Sequence, residues 1–223
     1  MKKTAIILGA SGLTGGLLLE KLLIDDRYET IKLFSRSRIE GLPIKVQQYI
    51  GNLLELEKFK NEFTADEVYC CIGTTAKKTP DKTMYKNIDY GIPVAAATLA
   101  KENGIPTYLV VSAMGANKKS SVFYNRTKGE MEQDVVNQGI PNTSILRPSL
   151  IGGDREEQRV LEKIGLVLFK VIQPLFIGTL KKYKIINAES IAQAMLNLAN
   201  TTSNTDVIIT SNDIEQLAKR NLK

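Results

Sequence analysis

Three glycines at three-residue intervals, Gly9, Gly12 and Gly15, separate a short apolar run from a helical one in AIILGASGLTGGLLLEKLL (residues 5–23). A strand that turns sharply into a helix uses one glycine for the turn, one where the backbone approaches an anion and one where the helix lies close on the strand. The helix that follows presents unsatisfied N–H groups at its start, which suit a pyrophosphate. Ser11 and Thr14, interleaved with the glycines, add hydroxyls. The spacing predicts a strand–turn–helix unit that holds a dinucleotide. A Walker-type loop is excluded, because no G-x-x-x-x-G-K-[ST] occurs.

The rest of the chain repeats the alternation of strand and helix, which predicts a parallel, doubly wound α/β sheet. Strands are predicted over 4–8, 31–34, 44–48, 67–71, 107–111, 143–147 and 206–210, about seven in all. Helices are predicted over 13–24, 53–61, 83–103, 122–138, 156–171, 188–200 and 212–221. The stripe Ile191, Ala194, Met195, Leu198 marks an amphipathic helix. No repeat, low-complexity segment or linker divides residues 1–223, so a single domain is expected, with 148–187 as a small substrate-side lobe over the carboxyl edge of the sheet.

Composition narrows the chemistry. The 223 residues contain no histidine and two cysteines, the adjacent Cys70 and Cys71. Histidine-based triads, a histidine base and the usual zinc ligand sets are excluded, and no metal is expected. The cysteines end an apolar strand and read as core packing. The net charge of +6 is spread along the chain, and the Lys-Lys doublets at 2–3, 77–78, 118–119 and 181–182 read as solvated ends, so no nucleic-acid partner is expected. The longest apolar stretch, IGLVLFKVIQPLFIG (164–178), is broken by Lys170 and Pro174, so no membrane span is expected. The apolar run after Met1 is too short for a secretory signal, and a cytoplasmic location is expected. DREEQR (154–159) reads as a charged helix start, with Arg155 or Arg159 as a second choice for an acidic ligand, and 161–177 as core and pocket lid.

The second predicted strand ends in LFSRSR, with Ser35, Arg36 and Arg38 and no carboxylate to hold a ribose 2′-hydroxyl; Glu29 precedes the strand. A guanidinium there suits a 2′-phosphate, which favours NADP(H) over NAD(H). Two Tyr-x-x-x-Lys matches occur, Tyr28/Lys32 and Tyr124/Lys128. Ligands of open α/β sheets bind outside the carboxyl ends of the strands. Tyr28 leads into a strand at its amino end and is a chance match. Tyr124 and Lys128 follow the fifth strand near a helix start, where four-residue spacing puts them on one side. Ser112 ends that strand. An ammonium draws a phenol toward ionisation, and a serine hydroxyl can hold the substrate oxygen.

Taken with GNLLELEKF, CCIGTT and NIDYGIPVAAATLAKENGI, these motifs resemble an atypical short-chain dehydrogenase/reductase of the Rossmann superfamily over nearly the whole chain. VSAMGANKKSSVFYNRTKGEME and LRPSLIGGDREEQR resemble the branch of the human Tat-interacting protein oxidoreductase. The resemblance implies that Gly9, Ser11, Gly12, Leu13, Thr14 and Gly15 cradle the dinucleotide. It implies Arg36 with Ser35 at the 2′-phosphate, Asn52 and Leu53 beside adenine, and Cys71, Ile72 and Gly73 along the ribose. Tyr124 is then the catalytic acid/base, Lys128 binds the nicotinamide ribose and tunes Tyr124, Ser112 polarises the substrate, and Pro148 approaches the nicotinamide. Two departures stand out: Asn52 replaces a usual aspartate, and Ala113 follows Ser112 where the family often has a second serine.

The expected activity is NADP(H)-dependent hydride transfer to or from a small carbonyl or alcohol, by a monomer or homodimer. Two alternatives remain at this level: an NADP(H)-binding regulator or sensor acting through a protein partner, and a nucleotide-sugar epimerase or dehydratase.

Overall fold

The computed structural model describes residues 2–152, 185–201 and 207–220. Its strands are β1 (Lys3–Leu8), β2 (Tyr28–Ser35), β3 (Val46–Ile50), β4 (Glu67–Cys70), β5 (Thr107–Val111), β6 (Asn142–Arg147), β7 (Ile151–Gly152), β8 (Ile186–Asn187) and β9 (Ile208–Thr210). Its α-helices are α1 (Leu13–Ile24), α2 (Lys82–Lys86), α3 (Ile92–Glu102), α4 (Phe123–Asn137), α5 (Ala188–Ala199) and α6 (Ser211–Ala218). Seven strands form one sheet in the order β3-β2-β1-β4-β5-β6-β9, every neighbouring pair parallel. β7 and β8 make a separate two-stranded parallel ribbon.

Alternation along each strand builds two apolar layers, since successive side chains leave opposite faces. Ala5 and Ile7 pack with α1, α5 and α6 through Leu18, Leu22, Met195 and Ile214. Ile6 and Leu8 pack on the other face with Phe34, Leu56, Ala96 and Met131. Each fully buried Leu, Ile, Phe or Met side chain here contributes about 1.5–3 kcal/mol. With both faces covered, β4 and β5 are buried at every position, which is why EVYC and TYLVV read as short continuous runs.

β1 pairs with β2 on one side and β4 on the other. The direction of winding reverses there, which opens a crevice at the carboxyl ends of β1 and β4. The glycine turn and the Cys71–Gly73 segment border that crevice.

Several elements differ from the sequence reading. Residues 53–61, predicted as an α-helix, hold a 3₁₀ helix, Leu53–Phe59, kinked at Glu55 with φ −122° and ψ 42°. The helix predicted over 83–103 is α2 and α3 joined by a π-helical turn, Asn87–Gly91. β3 begins after a turn in which the Val46 N–H donates to the Pro43 carbonyl at 2.9 Å, so it starts later than 44. The helix predicted over 156–171, the charged segment 154–159, the apolar stretch 161–177 and most of the lobe predicted over 148–187 lie outside the described residues.

Candidate active site

The glycine turn is closed by its own backbone. Gly9 has φ +88°, a conformation that L side chains rarely adopt, and the Gly12 N–H donates to the Gly9 carbonyl at 3.0 Å. A Cβ on Gly9 would lie 2.8 Å from the Cys71 carbonyl oxygen, and one on Gly15 would lie 2.2 Å from that of Gly9. Helix α1 therefore rests directly on the turn, and the turn on the end of β4. The α1 N-cap is Gly12, which supplies no side-chain cap, and no acidic residue stands in the first turn. The N–H groups there can accept an anion. Ser11 and Gly12 are exposed at the tip, Leu13 is half-buried, and Thr14 and Gly15 are buried beneath them. These residues fit a dinucleotide pyrophosphate.

At the end of β2, Ser35 is buried and its hydroxyl donates to the Ser37 carbonyl at 2.7 Å. Arg36 and Arg38 are exposed at the rim. Glu29 lies inside β2 rather than before it, next to the amino end, away from this rim. The Asn52 side chain accepts from the Leu54 N–H at 3.1 Å and so caps the 3₁₀ helix. Leu53, expected beside adenine, instead buries its side chain in the core with Phe34, because the chain turns inward there. The Cys71 N–H donates to the Leu8 carbonyl at 2.9 Å, which continues the β1–β4 ladder into Ile72 and Gly73. Burial pushes both the Cys70 and Cys71 thiols up, so they are neutral packing groups.

Tyr124, Lys128 and Glu132 stand at four-residue intervals on α4, a single stripe. Tyr124 is partly exposed at the helix start, edge-on to the buried Tyr85 with ring centroids 6.2 Å apart. Lys128 and Glu132 are buried. Each has a partner from another element. Lys128 Nζ lies 2.9 Å from Asp89 Oδ1 on the π turn, and the Asp89 Oδ2 accepts from the Thr74 N–H at 2.7 Å. Glu132 takes a two-pronged contact from Arg147, at 2.9 Å from Nε and 2.5 Å from the terminal nitrogen.

Glu132 also changes the role expected of Ser112. The Ser112 hydroxyl donates to Glu132 Oε1 at 2.5 Å. A hydroxyl has one proton to give, so Ser112 in this state can accept a hydrogen bond but has none left to donate to a carbonyl. The next residue, Ala113, has no hydroxyl. Lys128 departs from expectation in a second way. Burial pushes the Tyr124 phenol up; the Lys128 charge pulls it down and Asp89 pushes it up again, so the net direction is upward. A phenol is protonated at neutral pH, and the upward direction leaves it so.

The neighbouring loop is fastened to α4 and to β6. The Met114 N–H donates to the Pro148 carbonyl at 2.8 Å, which ties the buried Pro148 beside the loop that leads to Tyr124. A Cβ on Gly129 would lie 2.2 Å from the Lys118 nitrogen, so the loop crosses α4 where the helix has no side chain. Sequence reasoning missed Asp89, Glu132, Tyr85 and Gly129. Following the four-residue period from Lys128 one step further would have found Glu132. Asp89 gave no such signal, because a π turn aims it.

The other pair separates. Tyr28 is the first residue of β2 and is buried; its hydroxyl donates to Glu67 Oε2 at 2.7 Å and accepts from Asn200 Nδ2 at 2.7 Å. Lys3 and the Tyr69 hydroxyl complete this network on Glu67. Lys32 instead donates to the Glu62 and Thr64 carbonyls at 3.0 and 2.8 Å.

A glycine-closed switch point facing a tyrosine–lysine helix defines a doubly wound nucleotide-binding protein of the short-chain dehydrogenase type. Residues 9–202 match the family model described as NAD(P)H-binding, and the chain belongs to that family. It is 31% identical over 206 residues to "Protein FMP52, mitochondrial" of Debaryomyces hansenii, covering 88% of both chains. It is 32% identical over 171 residues to "Protein HTATIP2" of Rattus norvegicus, covering 75% of this chain and 70% of that one. Among solved structures, UDP-glucose 4-epimerase of Thermotoga maritima matches with TM-score 0.69 at 14% identity, over 97% of this chain and 81% of that one. A short chain dehydrogenase family protein of Francisella tularensis matches with TM-score 0.68 at 13% identity, over 96% and 99%. These structures share the fold.

The cytoplasmic expectation is overturned. FMP52 proteins from several yeasts, matched over most of this chain, carry "mitochondrial" in their names. The expectation rested on the short apolar run after Met1, and that run is β1, a core strand whose composition reports packing rather than compartment.

Proposed function

We propose that the chain is an NADP(H)-dependent oxidoreductase of the short-chain dehydrogenase type, acting on a small carbonyl or alcohol substrate. The bound dinucleotide would supply or accept the hydride. This chain's residues would do the rest. The glycine turn and the α1 N-terminus hold the pyrophosphate, with Ile72 and Gly73 along the ribose side. Arg36, beside Ser35, meets the 2′-phosphate. Lys128 holds the ribose next to Tyr124, and Tyr124 gives its proton to the substrate oxygen as the carbonyl carbon gains the hydride. In the reverse direction the phenolate takes that proton back. With Ser112 committed to Glu132, polarisation of the carbonyl falls to Tyr124. The working unit is a monomer or homodimer, with no nucleic-acid partner.

The observation that carries this reading is the Tyr124–Lys128 pair on one face of α4, at the edge of the sheet where the glycine turn opens. The test is a panel of aldehydes, ketones and quinones with NADPH oxidation as readout, preceded by titration of NADPH and NADH. Turnover of any member with NADPH preferred supports the proposal; equal affinity for the two dinucleotides removes the NADP(H) assignment. One observation favours a second reading, a regulator whose NADP(H) occupancy controls a protein partner: the only hydroxyl at the end of β5 is engaged by Glu132. Tight NADPH binding with no turnover across the panel would select it.

A further inference from the structure

The ion pair between Lys128 and Asp89 lies deep in the site: their side chains are 4% and 1% exposed. Two features of the backbone build it. The π-helical turn Asn87–Gly91 inserts Asp89 between α2 and α3, and an unbroken α-helix would rotate that carboxylate to a different bearing. The Thr74 N–H then fixes its second oxygen at 2.7 Å, from the segment that follows Gly73. Gly73 itself is exposed, and a Cβ there would lie 3.6 Å from Asp89 Oδ1 and 4.0 Å from Lys128 Nζ. The pair is therefore roofed by a residue without a side chain, on the ribose side of the crevice.

Resting on the oxidoreductase reading, we propose that Asp89 is a positioning residue that holds the Lys128 ammonium on the π turn and opposes its field at Tyr124, so that the pair serves as a proton donor to a carbonyl. Lys128 alone would favour a phenolate, the form suited to alcohol oxidation. A carboxylate bound to that lysine opposes its field at the phenol. The charges around the phenol agree with this assignment. From α2 comes Tyr85, and from the π turn Asp89. On α4, Glu132 is neutralised by Arg147 and Glu130 by Lys86 at 2.7 Å. Lys82 and Arg126 lie against the Phe123 ring, 5.8 and 6.0 Å from its centre. Asp89 is the anion that Tyr124 feels, and it acts with burial to push the phenol up.

Tyrosinate absorbance read against pH tests this without any substrate. The difference between wild type and Tyr124→Phe isolates the Tyr124 titration, and the same subtraction in each variant background removes the other tyrosines. Asp89→Asn keeps an acceptor for the Thr74 N–H and should move the Tyr124 midpoint to lower pH. Lys128→Met should move it to higher pH. Because Asp89→Asn leaves a buried ammonium without its partner and could unfold the chain, the double variant Asp89→Asn/Lys128→Met, which leaves neither charge alone, is compared with Lys128→Met. A lower midpoint in the double variant supports the inference. An unchanged or higher midpoint in Asp89→Asn, or in the double variant against Lys128→Met, overturns it. With a reducible substrate in hand, the alkaline limb of the kcat profile should shift to lower pH in Asp89→Asn, as the midpoint does. A shifted midpoint in a chain that turns nothing over supports the role of Asp89 and overturns the oxidoreductase reading; turnover with an unshifted midpoint does the reverse.

Discussion

The chain carries the same Tyr-x-x-x-Lys motif at the amino and carboxyl edges of one sheet, and the two copies do different work. Tyr124 and Lys128 lie on a helix, where residues four apart face the same way. Tyr28 and Lys32 lie on a strand, where four residues span about 13 Å. The register irregularity between Lys3 and Thr4, opposite Tyr28 and Thr30, goes further and puts the two on opposite faces. Tyr28 packs in the layer of α1 and α5, whereas Lys32 reaches carbonyls next to the 3₁₀ helix. One copy is available to a ligand; the other is a fastening between β1, β2, β4 and the end of α5. Spacing in a sequence is distance in space only once the element is known.

The largest effect expected from this contrast is on turnover. Tyr124→Phe should lower kcat by about 10²–10⁴-fold, the usual contribution of a positioned acid or base, with NADPH affinity and melting temperature retained. Retained activity would mean that Tyr124 is not the acid. Next comes cofactor choice: Arg36→Ala should weaken NADPH by about 10–100-fold, the loss of a charge-assisted contact, and leave NADH close to unchanged. Calorimetric titration of both dinucleotides decides it, and equal losses would sink the 2′-phosphate assignment.

Tyr28→Phe reverses the pattern. It should leave kcat within about twofold, because the residue is remote from the crevice, yet destabilise the fold by about 1–3 kcal/mol by stripping a hydrogen bond from the buried Glu67 network. Chemical denaturation with a turnover assay on the same sample checks both halves. The network also predicts a pH dependence. Burial, reinforced by Glu67, raises the Tyr28 and Tyr69 phenols in the folded state. Their contribution is fully present below the unfolded tyrosine value of about 10 and is lost as pH rises toward the folded values. Melting temperature should therefore fall above about pH 10, less steeply in Tyr28→Phe. The smallest expected effect is none: a chelator should change neither NADPH binding nor melting temperature, and a loss restored by zinc would reveal a metal site.

Much of the frame was legible beforehand because its signals are local. The glycine spacing marked the β1–α1 turn, and short apolar runs between helical stretches located the seven strands of the main sheet to within a few residues, with helix α1 matched at both ends. What escaped depends on residues far apart in sequence. Leu53 reads like a ligand contact next to Asn52, but its side chain joins the buried cluster that holds Phe34 and Leu56. Ser112 reads like a donor to substrate, but Glu132, twenty positions later, takes its proton. Localisation was misread for a different reason: an apolar run too short for a secretory signal carries no information on compartment, whereas relatives matched over most of the chain carry "mitochondrial" in their names.

The sequence by itself determined that this chain would wind a parallel sheet around a glycine-closed turn and would use no histidine. Both are properties of residue type and spacing, which act over a few neighbours. Only the tertiary structure decided which partners separate Tyr28 from Lys32 and which anion stands behind Lys128. Those outcomes rest on a strand irregularity at β2 and a π turn at Asp89, where one residue more or less rotates a side chain to a new partner. In a buried site that rotation decides whether a charge meets its counter-ion.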